Sequence, residues 1–192
     1  MRIGILDCGG ANLNSIHYSL TRLGVDSLIS TDKNELDLTD GIILPGVGSA
    51  GNVMKNLKDK DLISYIKNTK KQVLGICIGM QILYEHSEED DVHCLGIIKG
   101  KIKKFKPTQA LPVPQMGWNN VSDQNKKLSN QYYFANSYYA PVSEYTVATS
   151  SYINDFTSIL QKDNFLGCQF HPEKSSFAGV KFLNYFMSTI CK

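Results

Sequence analysis

The chain predicts an α/β fold built on a mainly parallel central sheet, with an antiparallel addition in the second half. Three observations carry this. Through the first half, short apolar runs alternate with segments of helical period, the pattern of strands joined by crossover helices. After residue 90 the pattern changes to short strand-like pieces separated by turn-rich stretches. No internal repeat or low-complexity linker interrupts the 192 residues, which fit one domain spanning 1–192.

The elements follow in order. Residues 3–6 form a short apolar strand. Asn12 stands where it can cap a helix whose apolar positions Leu13, Ile16, Leu20 and Leu23 keep the helical period up to Gly24. Strands are expected at 25–29 and 41–44. Val53, Leu57, Ile63 and Ile66 then predict one helix over 49–68, ahead of a buried strand at 72–76. Strand-like pieces follow at 95–105, 132–139, 145–150, 158–161 and 165–170. A last helix is expected at 176–190, with Val180, Leu183, Phe186 and Met187 on one face.

The most informative motif closes the 72–76 strand. In Gly75-Ile76-Cys77-Ile78-Gly79 a cysteine sits between glycines where a strand gives way to a helix, the pattern of a nucleophile elbow. Side chains at either glycine would collide with the neighbouring strand and helix, and the helix N-terminus behind the sulfur favours negative charge there. A cysteine in that setting can equally be a small buried hydrophobe. The second motif decides between them: His171-Pro172-Glu173 supplies an imidazole for proton transfer and a carboxylate to fix its tautomer. If the segment is extended, Glu173 lies on the same face as His171. Pro45-Gly46-Val47-Gly48, directly after its strand, brings backbone N–H groups to where an oxyanion would develop.

Composition excludes several classes. With 20 basic and 18 acidic residues the formal charge is +2, too small to direct the chain onto nucleic acid or anionic membrane. Lys99, Lys101, Lys103, Lys104 and Lys106 read as the solvated face of a strand. No run approaches membrane-spanning length and none resembles a signal peptide, so a cytoplasmic location is expected. Cys8, Cys77, Cys94, Cys168 and Cys191 are odd in number and scattered, unlike a disulfide framework, and all but Cys77 read as core fillers. His86, His93 and Cys94 lack paired ligand spacing, so no metal site is expected.

Taken together these residues resemble the class I, or triad, glutamine amidotransferases, and among them the glutaminase subunits of imidazole glycerol phosphate synthase. The resemblance runs nearly end to end: Asp7 to Ser15, Leu44 to Gly48, Gly75 to Gln81, Pro114-Gln115-Met116-Gly117-Trp118-Asn119, Tyr133 to Tyr138, and Gly167 to Ser175. It implies a flavodoxin-like three-layer sandwich with no cofactor and no metal. It also implies that Cys77 attacks the glutamine side-chain amide to form a thioester, that His171 moves the proton, and that Glu173 orients His171. Gly46, Val47 and Gly48 would help hold the oxyanion and Gln81 would contact glutamine. The implied partner is a (β/α)8-barrel cyclase subunit, which receives ammonia to make imidazole glycerol phosphate and AICAR in histidine biosynthesis. Asn12, Trp118 and Lys174 match positions at or near that interface. Gln115 and Asn136 depart from the pattern, which usually carries histidine at both. A paralogue feeding a sugar amidotransferase for amidino-modified surface sugars is the alternative. A non-catalytic binding or regulatory module is a third reading, and retention of Cys77, His171 and Glu173 argues against it.

Overall fold

The computed structural model of the chain describes residues 1–9, 12–46 and 48–191. Its first half alternates as the sequence predicts: β1 (Arg2–Leu6), α1 (Leu13–Arg22), β2 (Asp26–Ser30), α2 (Lys33–Asp37), β3 (Gly41–Leu44), α3 (Ala50–Asp59), α4 (Ile63–Asn68), β4 (Gln72–Ile76) and the single turn α5 (Ile78–Gln81). The second half supplies β5 (Tyr84–Ser87), β6 (Val92–His93), β7 (Ile98–Lys104), β8 (Gln115–Asp123), β9 (Asn130–Asn136), β10 (Tyr138–Tyr139), β11 (Thr146–Ser151), β12 (Asp155–Lys162), β13 (Phe165–Cys168) and α6 (Ser176–Ile190).

Nine strands form one mixed sheet in the order β2-β1-β3-β4-β13-β12-β11-β8-β9. Every pair from β2 to β13 is parallel and every pair from β13 to β9 antiparallel. The parallel half therefore has the 2-1-3-4-5 order of a doubly wound sheet, in which ligands gather at the carboxyl ends of the strands. β3, β4 and β13 are buried along their whole length apart from Gln72, as expected of strands covered on both faces. Where α6 packs beside β9, Phe170 stacks on Tyr132 with ring centroids 3.9 Å apart and meets Phe182 edge-on at 5.0 Å.

Several expectations are corrected. The 49–68 helix is two helices. Leu57 and Leu62 both reach the core but are five residues apart, out of phase on one helix, and Asp61 at φ +53 resets the phase. Leu62 N–H closes the break on Leu57 O at 2.8 Å. The 132–139 strand also divides at Ser137, β9 staying in the large sheet while β10 joins β7, β5 and β6 in a separate four-stranded sheet. That smaller sheet, the β8 strand and the α2 helix are absent from the sequence reading. Of the cysteines read as core fillers, Cys8 and Cys168 are buried, Cys94 is half-buried and Cys191 is exposed. The lysines of β7 are exposed, as read. Among the described residues no helix is long and apolar enough to cross a membrane.

Candidate active site

Cys77 stands at the carboxyl end of β4 with φ +51 and ψ −108, a left-handed backbone that costs a non-glycine residue about 1–3 kcal/mol. Packing holds it there. A Cβ on Gly75 would lie 2.5 Å from Gly79 O, and one on Gly79 would lie 2.1 Å from Leu44 O, so only glycines let β3, β4 and α5 approach this closely. Cys77 N–H donates to Cys168 O at 2.7 Å and ties the elbow to β13. The Pro45-Gly46 backbone presses on the same point: a Cβ on Gly46 would fall 2.6 Å from Cys77 Cβ. Val47 lies outside the described residues.

His171 follows β13, and its N–H donates to Tyr133 O of β9 at 2.9 Å. The Pro172–Lys174 segment is a 3₁₀ turn rather than the extended run expected, with Lys174 N–H donating back to His171 O at 3.0 Å. That turn, not strand alternation, brings Glu173 Oε1 to 2.8 Å from His171 Nδ1. The Glu173 side chain is 1% exposed. Its Oε1 also accepts from Asn12 Nδ2, while Oε2 has no partner among the described residues. Asn12 occupies the N-cap position of α1 but makes no capping bond, because its side chain is committed to Glu173.

The resolved charge shift of the site is on His171. Burial depresses the His171 pKa, but the charge and hydrogen bond of Cys77, and then those of Glu173, outweigh it and raise the pKa from 6.5 to about 10. The cation facing the sulfur is thus His171 itself, and the four-residue α5 is too short for its dipole to be the main influence. The Cys8 thiol is pushed to about 12 by burial and then by Asp7. Burial and Glu89 push Cys94 to about 11. Cys168 is raised well above its ordinary value by burial, then by Glu173 and Cys77.

A cleft of about 320 Å³ opens over Cys77 and His171, lined also by Gly46, Gly48, Gln81, Glu89, Pro114, Asn136 and Tyr138. A larger depression of about 660 Å³, at Lys33, Asp37, Tyr65 and Lys71, is lined by neither cysteine nor histidine and is a surface feature. Gln81 Nε2 donates to Gln169 Oε1 at 2.8 Å and to Tyr138 O at 3.1 Å, and Gln169 Nε2 donates to Cys77 Sγ at 3.5 Å. Gln169 and Glu89 are absent from the sequence reading. For Gln169 a signal existed, since it lies two residues before His171 on an extended run.

Trp118 and Lys174 lie away from the cleft, on the surface. Trp118 is 54% exposed and meets Tyr133 edge-on at 6.3 Å, and Lys174 Nζ lies 5.9 Å from the centre of the Tyr133 ring. Met116, two residues before Trp118 on β8, is 68% exposed. Gln115 and Asn136 turn inward instead and are buried.

A mixed α/β sheet with a strained cysteine facing a His–Glu pair matches one class of protein closely. The description "Glutamine amidotransferase class-I" fits residues 4–187, and the chain belongs to that family. It is 42% identical over 194 residues to "Imidazole glycerol phosphate synthase subunit HisH" of Bacteroides thetaiotaomicron, covering 97% of this chain and 99% of that one. It is 44% identical over 194 residues to "Imidazole glycerol phosphate synthase subunit HisH 2" of Campylobacter jejuni strain RM1221, covering 99% and 100%. A crystal structure of a glutamine amidotransferase shares the fold with a TM-score of 0.80 over 99% of both chains, at 15% identity.

Proposed function

We propose that Cys77, His171 and Glu173 act as a triad that hydrolyses glutamine and passes the ammonia to a partner subunit. The observation that carries this is the buried His171–Glu173 pair beside a cysteine held at positive φ. Cys77 sulfur attacks the side-chain carbonyl and the developing oxyanion is met by backbone N–H groups of the Gly46–Gly48 loop. Collapse of the tetrahedral intermediate breaks the C–N bond as His171 gives its proton to the leaving amine, and ammonia departs. The thioester remains on Cys77. His171, now neutral, takes a proton from water, whose oxygen attacks the thioester, and glutamate leaves as the C–S bond breaks. Glu173 keeps Nδ1 of the ring occupied so that Nε2 faces the chemistry. Gln81 and Glu89 line the cleft where the rest of glutamine would lie.

The relatives' name, a subunit of imidazole glycerol phosphate synthase, supports histidine biosynthesis as the pathway and a cyclase subunit as the partner. A (β/α)8 barrel is the partner fold that the family resemblance implies, and a cytoplasmic location belongs to the same reading. Met116, Trp118, Tyr133 and Lys174 would form its docking surface, with Asn12 reaching from that side to Glu173. An exposed tryptophan with an adjoining methionine and a cation over tyrosine has the composition of an interface anchor. The second reading, a paralogue serving a sugar amidotransferase, is favoured only by the carboxamides at Gln115 and Asn136.

The test is glutamate release by the chain mixed with the cyclase subunit from the same organism, with and without the cyclase's nucleotide substrate. Strong substrate-dependent stimulation, lost in Trp118→Ala, is expected. Without stimulation, but with Cys77 still alkylated by a glutamine analogue, the glutaminase reading would stand and the pathway would pass to the sugar paralogue.

A further inference from the structure

Three hydrogen bonds leading to Cys77 form a chain whose direction is fixed at its far end. Gln81 Nε2 donates to Tyr138 O at 3.1 Å and to Gln169 Oε1 at 2.8 Å, and Gln169 Nε2 donates to Cys77 Sγ at 3.5 Å. Tyr138 O is a carbonyl and can only accept, so the Gln81 amide must turn its nitrogen toward it. Both N–H groups of Gln81 are then spent, one on Tyr138 O and one on Gln169 Oε1. The Gln169 amide is oriented in turn, its oxygen held by Gln81 and its nitrogen left to face the sulfur. Gln169 is 0% exposed, and its backbone N–H donates to Ser158 O of β12 at 2.9 Å. The side chain therefore starts from a fixed point on the sheet, and no bulk water competes for its amide.

We propose that Gln169 is a catalytic residue whose side-chain N–H stabilises the anionic sulfur of Cys77, with Tyr138 O and Gln81 as the relay that aims it. This role rests on the glutaminase reading and deepens it. Hydrogen bonds to an ionised partner are the strong ones, and one made to sulfur favours thiolate over thiol. His171 carries a proton that it must give to the leaving amine. An amide N–H supports the charge without surrendering its proton, so Gln169 does not compete with His171 as an acid. The bond weakens while the sulfur is joined to the glutamyl carbon and uncharged. When water has attacked the thioester and the C–S bond breaks, the electron pair returns to sulfur, where the same N–H is already aimed. Gln169 is not among the residues lining the cleft, so it acts on the sulfur from within the protein rather than from the side of glutamine.

Alkylation of Cys77 by iodoacetamide reads the charge on sulfur without glutamine or a partner. Its rate is followed across pH on the full chain, at the Cys77 peptide by mass spectrometry, so that the exposed Cys191 does not contribute. The titratable groups around the sulfur are His171 and Glu173 after β13, Cys168 on β13 and Glu89 in the cleft, and all stay unchanged in the variants. Gln169→Met keeps the length of the side chain and removes its donor. Its acid limb is expected to move about one pH unit to the alkaline side, slowing alkylation on that limb about tenfold, while rates on the alkaline plateau agree within about twofold. Gln81→Met leaves the donor but not what orients it, and should move the limb the same way by less. A packing role alone would lower resistance to urea and leave the limb in place. An unmoved limb in both variants would overturn the role given to Gln169. Should Gln169→Met fail to fold, an unmoved limb in Gln81→Met would overturn it alone. Glutamate release by the wild type with the cyclase is measured in parallel: an unmoved limb beside normal release leaves the glutaminase reading intact, whereas no release would overturn both.

Discussion

Glu173→Gln is the substitution whose consequences can be followed furthest. It keeps the shape of the side chain and removes its charge. In the native site the buried Glu173 Oε1 accepts from His171 Nδ1 at 2.8 Å and from Asn12, and its charge helps raise the His171 pKa to about 10. Because this folded-state pKa is raised above 6.5, the stability the group contributes is fully present below pH 6.5 and is lost as pH rises through about 10. Replacing a hydrogen bond to a charged acceptor by one to a neutral acceptor forfeits the difference between the two, about 1–1.5 kcal/mol, or roughly 5- to 13-fold in kcat/KM. The assay is glutamate release across the alkaline range with the partner present. The expected result is a rate loss of that size together with an acid-ward shift of the limb that falls near pH 10 in the wild type. A variant within twofold of wild type, with its alkaline limb unmoved, would refute the role given to Glu173.

Two further outcomes are expected. Asn12→Ala removes the second donor to Glu173 Oε1 and should lower kcat about tenfold with little change in glutamine KM, read by steady-state kinetics; a change confined to KM would contradict it. Gly79→Ala would place a Cβ 2.1 Å from Leu44 O, a backbone atom that cannot rotate away, so urea unfolding should show a loss of at least about 3 kcal/mol and glutaminase activity should fall with it.

How much of this was legible in the sequence depended on which force placed each element. β3 and β4 were readable because burial alone dictates their apolar patterns. The extent of α6 was readable but its buried face was so only in part: Val180, expected inside, is exposed, and Phe182 is buried instead. The elbow was readable because close backbone approach admits only glycine, and two glycines flank one cysteine at the end of an apolar run. β8 was not readable: it places Met116 and Trp118 outward and Gln115 inward, the reverse of what a half-buried strand shows, because its outer face carries the proposed docking surface. α2 was overlooked although its signal was present, Asp32 capping Asn34 N–H with Glu35 in the first turn. The union of His171 with Glu173 was expected, but its means was not: the 3₁₀ turn at Pro172–Lys174, which no motif in the sequence announced, folds the Glu173 side chain back to the ring. Asn12 was legible as a helix start, and its bond to Glu173 was not, because the two are 161 residues apart in sequence.

The central claim is that Cys77 carries the chemistry while the cleft around it holds glutamine. The most direct measurement is glutamate release by Cys77→Ser beside the wild type, both with the cyclase subunit and its nucleotide substrate, together with glutamine binding to each by calorimetry. The account predicts glutamine binding in both and glutamate release from the wild type alone. Undiminished release from Cys77→Ser would place the nucleophile elsewhere and contradict it.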